Sequence, residues 1–176
     1  MKILPISIPT PFYVGDVNVY LIREDPVTLI DVGPKTDVAS EALRRGLAGH
    51  GLTFADVQRI VLTHAHEDHC GLARHVRDAA KNAEIYLHQW ESGHLVGRLS
   101  HEENRRLLLR SGVPEKAFDE MRSLYEEISL LTDALDPEDL LPLTDGEELE
   151  FAGGTMRVLH TPGHTPGSCS FFREAN

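Results

Sequence analysis

Residues 64–69 read His64-Ala65-His66-Glu67-Asp68-His69, three histidines with a carboxylate inside six positions. Neutral imidazoles and carboxylates are the ligands of zinc and similar divalent ions. In an extended segment residues i and i+2 face the same way. His64 and His66 therefore address one ion, and Asp68 continues their phase. His69 is out of phase and turns toward a second position about 3.5–4 Å away, the spacing of two-metal hydrolytic sites. The zincin pattern does not fit, because it needs two histidines four apart on a helix with Glu beside the first. A lone histidine here would read as a solvated loop residue. Three with a carboxylate, at the end of an apolar strand, read as ligands.

A further ligand comes from Thr161-Pro162-Gly163-His164-Thr165-Pro166-Gly167, where Pro and Gly fix the backbone around His164 and leave room for close approach. The alternative for His164 is an ordinary turn histidine. His160, at a strand end, is read as supporting structure, and His88 ends a strand beside the site. His50, His75, His94 and His101 read as solvated, Glu67 as solvent-facing, and Cys70 as a buried thiol. Asp31 is expected to hold the ligand loop through hydrogen bonds.

Positioning such a cluster requires strands that end at it. Residues 2–8 predict an edge strand, since Pro5 cannot donate to a ladder. Residues 17–22 and 27–32 predict a hairpin across Glu24-Asp25-Pro26. Asp37 is expected to cap a helix over 38–50, with Val38, Ala42, Leu43 and Leu47 on its inner face and Gly51 closing it. A helical turn follows at 53–57. Strand 59–63, a helix from about Cys70 with Leu72, Ala73, Val76 and Ala80 as its stripe, and strand 84–88 predict a βαβ unit. The His-rich stretch then lies at a strand's carboxyl end, where ligands of open α/β sheets sit. Residues 91–140 predict a helical insertion. Leu107 to Leu109 mark one helix, and Phe118, Met121, Tyr125 and Ile128 a second. Pro137 and Pro142 end it. Strands at 148–151, 155–160 and 168–172 follow, the first two joined by a tight Gly153-Gly154 turn.

The chain has 176 residues, 41% hydrophobic and 26% charged, with a formal net charge of −11. That is ordinary for a globular protein, and it argues against nucleic acid or an anionic membrane as the main partner. Two cysteines make no disulfide framework, and no signal peptide or long apolar span is visible, so the cytoplasm is the expected location.

His64-Ala65-His66-Glu67-Asp68-His69 resembles the HxHxDH signature of the metallo-β-lactamase superfamily. The 161–168 loop resembles its TPGHTPG loop, and Leu29-Ile30-Asp31-Val32-Gly33 its early strand ending in Asp-Gly. The resemblance implies an α/β (α+β) fold, the αββα sandwich with metals between the sheets, over 1–176, with the 91–140 insertion inside it. It assigns His64, His66 and His164 to a first metal, and Asp68 and His69 to a second. The family pattern continues with a bridging Asp one strand after the loop and a later His. The sequence ends at Asn176 before either, so the domain is expected to be incomplete at its C-terminus. An exposed sheet face and a strand edge near 168–172 would favour a homo-oligomer.

The activity so implied is that of a metal-dependent hydrolase, closest to the glyoxalase II-like and general metallo-hydrolase branches. Hydroxide formed at neutral pH on one or two Zn2+ ions (Fe or Mn also fit) would attack a small ester, thioester or lactone, with Asp68 orienting it. The alternatives are a phosphodiesterase or ribonuclease of the same superfamily and a non-catalytic metal-binding fragment. The insertion could serve as a lid. Its Arg105, Arg106 and Arg110 are read as a solvated face.

Overall fold

The computed structural model describes residues 1–13, 15–96, 105–106 and 109–173. Among these, six strands form one sheet in chain order. β1 (Ile3–Ile8), β2 (Val17–Ile22) and β3 (Thr28–Ile30) pair antiparallel. β4 (Arg59–Val61), β5 (Glu84–His88) and β6 (Leu140–Leu143) extend the sheet in parallel from β3. β1 is an outer strand, as Pro5 predicts. β4, helix and β5 form the expected βαβ unit. A second, antiparallel sheet holds β7 (Glu148–Phe151), β8 (Gly154–His160) and β9 (Cys169–Phe172).

β6 was not expected. Pro142 reads as a terminator in sequence, but here it sits in an outer strand opposite Leu87, where a missing N–H costs little. The turn between β7 and β8 lies at Ala152-Gly153, one residue earlier than predicted, because Phe151 pairs with Gly154.

Helix α1 (Asp37–Ala48) is capped by Thr36, not Asp37. The Thr36 hydroxyl oxygen accepts from the Ala39 amide at 3.1 Å, and Asp37 becomes the first-turn acid that favours a helix N-terminus. The buried face also differs from the one read in the sequence. Ala39, Leu43 and Leu47, four apart, are fully buried, while Val38 is 64% exposed. Residues 54–56 form a 3₁₀ turn closed by reciprocal bonds between Thr53 and Asp56. The helix expected from Cys70 is broken into α2 (Glu67–Cys70) and α3 (Ala73–Ala79). Gly71 marks the break: a Cβ there would lie 2.2 Å from the Leu131 carbonyl oxygen and 2.5 Å from the Lys35 amide nitrogen. The stripe Leu72, Ala73, Val76 and Ala80 is buried as read.

α4 (Ser92–Leu95) and α5 (Glu115–Ser129) supply helices in the 91–140 stretch. Leu107 and Leu108, expected to mark a helix, and His101 lie outside the described residues, as do the side chains of Phe118, Met121 and Tyr125. No helix among the described residues is long and apolar enough to cross a membrane.

Two apolar clusters make the layers. One joins Leu43 and Leu47 of α1 and Val76 of α3 to Leu21, Leu29, Ile60 and Ile85 of the large sheet. The other joins Ile22, Ile30, Val61 and Leu143 to Leu149, Phe151, Met156 and Val158 across the gap between sheets. The order is helices, sheet, sheet, within the αββα class. Cys70 and Cys169 are free and buried. Leu43→Ala should cost about 2–5 kcal/mol in urea unfolding, whereas Val38→Ala should stay within about 0.5 kcal/mol. Equal losses would show that the inner face of α1 is misplaced.

Candidate metal centre

Three parallel strands deliver their carboxyl ends to one edge of the large sheet. β3 runs into Asp31, β4 into Thr63 and residues 64–69, and β5 into His88 and Glu91. The β8–β9 loop brings His164 from the second sheet. The Cys169 amide donates to the Thr63 carbonyl at 2.9 Å and ties the two sheets together beside the cluster.

Asp31 has φ of 59°, in the left-handed region that Asp tolerates through local hydrogen bonding. Its carboxylate accepts from the Thr63 amide at 2.8 Å, from the Thr63 hydroxyl at 2.9 Å and from His69 Nδ1 at 2.8 Å. The role read for it from sequence is the one it fills. A hydroxyl has a single proton. Since Thr63 Oγ1 donates to Asp31, it must accept from His64 Nδ1, 2.9 Å away. That fixes His64 as the Nδ1–H tautomer and leaves the Nε2 lone pair free.

His64 is 6% exposed, and its Nε2 is buried with no hydrogen-bond partner. One ligand nitrogen each from His64, His66 and His164 falls within 4.8 Å of the others. His164 Nε2 and His66 Nδ1 are 3.0 Å apart and share a proton that a metal ion would displace. An orphaned buried nitrogen among convergent imidazole donors fits a divalent cation. Burial, reinforced by the charges His69, His66 and His164 would carry, pulls the His64 pKa down to about 3. His66 is likewise lowered, mainly by burial and His164. These imidazoles are thus neutral near pH 7, the form that ligates.

Asp68 and His69 stand beside this trio. The His69 ring centroid is 4.4 Å from that of His64, and its Nε2 is 3.6 Å from Asp68 Oδ2, too long for a hydrogen bond. Burial lowers the His69 pKa, but the Asp31 hydrogen bond and charge, with Asp68, raise it overall. Two readings are corrected. Glu67 does not face solvent and His94 is not merely solvated: they bond at 3.1 Å, joining α4 to the ligand segment. His88 stacks on His160, with centroids 4.2 Å apart and planes 6° apart, and Trp90 packs edge-on to both. His160 Nε2 donates to the Pro166 carbonyl at 2.9 Å, the supporting role read for it. Sequence reasoning missed Glu91, buried behind the ligand loops. Its only signal was its place just past the end of a parallel strand.

A helix-flanked sheet packed on a second sheet, with a histidine cluster at the strand ends between them, defines an αββα fold with a candidate metal site between its sheets. The family model of the metallo-beta-lactamase superfamily matches residues 12–176, and the chain belongs to that family. "Probable metallo-hydrolase YqjP" of Bacillus subtilis (strain 168) is 50% identical over 70 residues, 40% of this chain and 22% of that protein. "Probable metallo-hydrolase YflN" of the same organism is 30% identical over 164 residues, 89% of this chain and 56% of the relative. The metallo-beta-lactamase family protein TTHA1429 from Thermus thermophilus superposes with a TM-score of 0.80 at 34% identity, over 97% of this chain and 55% of that one. The chain thus spans about half the length of the relatives it matches along most of its own length.

The low His64 pKa has a consequence for stability. Its folded value lies below the unfolded 6.5, so the unfolded state binds more protons in between. The stability contributed is complete above about pH 6.5 and is lost as pH falls toward 3, up to about 2 kcal/mol by pH 5. With chelator present, the urea midpoint should fall between pH 7 and pH 5, and His64→Gln should flatten that fall. An unchanged slope in the variant would refute the assignment.

Proposed function

We propose that this chain carries the metal centre of a hydrolase acting on a small ester, thioester or lactone. The observation that carries the reading is the convergence of His64, His66 and His164 from two sheets, with the buried His64 Nε2 unpaired. A bound divalent ion there would lower the pKa of water toward 7 and polarise a substrate oxygen. His64, His66 and His164 would hold it. Asp68 and His69 would serve a second ion, with Asp68 orienting the nucleophile. Zinc suits the nitrogen set, and the mixed oxygen and nitrogen donors of Asp68 and His69 also admit iron or manganese.

The chain's own groups supply the preorganisation. Asp31 and Thr63 hold the His64 tautomer, so no reorganisation is needed when the lone pair is used. Asp31 equally aims His69 through Nδ1, leaving Nε2 toward Asp68. The net charge of −11 favours a small substrate over an extended phosphodiester.

The test is a panel of a thioester, a lactone, a carboxylic ester and single-stranded RNA, offered to the zinc-loaded chain. Turnover of one of the first three is expected, abolished by chelator and restored by metal. RNA cleavage without it would overturn the substrate class. His64→Ala should lose bound metal by elemental analysis and cut turnover at least ~100-fold, the upper end of what even outer-shell changes cost. Unchanged metal content would show that the ligands lie elsewhere.

A further inference from the structure

Glu91 is 6% exposed, a rarity for a carboxylate outside the ligand set. Its two oxygens divide their bonds. Oε2 accepts from the Ala65 amide at 3.1 Å, and Oε1 from the Gly167 amide at 2.7 Å. Ala65 lies between His64 and His66 on the segment leaving β4. Gly167 lies three residues after His164 on the loop entering β9. One side chain therefore spans the two segments that must meet for three imidazoles to converge.

The surroundings are shaped for this bridge. A Cβ at position 167 would lie 2.6 Å from Glu91 Cγ and 2.9 Å from its Oε1, so only glycine lets the carboxylate approach. The same Cβ would lie 3.0 Å from His88 Nδ1, so the stacked His88 and His160 wall in the other side. Burying a carboxylate is costly unless hydrogen bonds satisfy it, and both partners here are backbone amides of ligand-bearing segments. The separate bond from the Cys169 amide to the Thr63 carbonyl already joins the sheets. That bond joins the sheets independently of Glu91, whose two acceptors tie the two histidine-bearing segments to each other.

We propose that Glu91 is a positioning residue that sets the distance between the His64/His66 segment and the His164 loop, and so the affinity of the site for a divalent cation. Both of its oxygens are taken by backbone amides. A carboxylate suits the task because it offers acceptors on both sides. An amide of the same size offers one acceptor and turns an NH2 group against the other backbone N–H.

This inference rests on the metal-site reading above, and the experiment separates the two. Zn2+ is titrated into the 176-residue chain in competition with a chromophoric chelator, and Co2+ absorption is recorded for ligand geometry. Glu91→Gln should raise the Kd for Zn2+ by about 10–100-fold, the range of outer-shell changes. It should shift the Co2+ spectrum and leave the melting temperature in chelator within a few degrees of the parent. Gly167→Ala, which crowds the carboxylate and leaves it in the sequence, should weaken Zn2+ in the same direction. It serves as the deciding variant if Glu91→Gln folds poorly. Parent-like Zn2+ affinity in a folded Glu91→Gln chain, or in Gly167→Ala, overturns the proposal. Failure of the parent chain itself to bind Zn2+ or Co2+ overturns the metal-site reading instead.

Discussion

The carboxylate of Asp31 accepts the amide and hydroxyl of Thr63 on one side and Nδ1 of His69 on the other. The ends of β3 and β4 and the start of α2 are registered around that contact, because the Asp31 amide also donates to the Val61 carbonyl and the Val32 amide to the His69 carbonyl. The hydrogen-bond chain running from Asp31 through the Thr63 hydroxyl to His64 has only one consistent direction. An ionised carboxylate can only accept, so each later donor is forced. The tautomer of His64 is therefore set two bonds away from its Nε2, and the left-handed backbone at Asp31 is held by the same bonds.

The two apolar clusters explain why this arrangement is rigid. The large sheet is covered on one face by α1 and α3 and on the other by the three-stranded sheet. Close-packed layers leave the strand ends little freedom to slide. The polar groups then gather at the edge where both sheets terminate. Glu91 and the Thr63–Cys169 bond link the layers at that edge. The 91–140 stretch is anchored there from both sides. His94 bonds Glu67 at its start, while the Leu131 carbonyl accepts from the Lys35 amide at its return, beside the Gly71 break.

The amino-acid sequence by itself determined the residue types of the candidate site and much of the frame. The shared phase of His64 and His66, the Pro/Gly loop around His164, the edge position of β1 and the βαβ unit follow from local rules of period, propensity and turn chemistry, whereas Asp68 lies in α2 and not in the extended phase read for it. What the tertiary structure decided is whatever depends on partners distant in sequence. Pro142 terminates a helix by local rules, yet the open edge beside β5 recruits its neighbours as β6. Asp37 and Thr36 are both adequate caps locally, and in the fold the Thr36 hydroxyl accepts from the Ala39 amide while Ala39, Leu43 and Leu47 pack on the sheet. Glu67 and His94 look solvated in isolation because each partner lies 27 positions away. Glu91, 26 residues from Ala65 and 76 from Gly167, carries no local mark of its role. A bridging carboxylate is defined only by the two amides it joins, and those are brought together by the packing of two sheets.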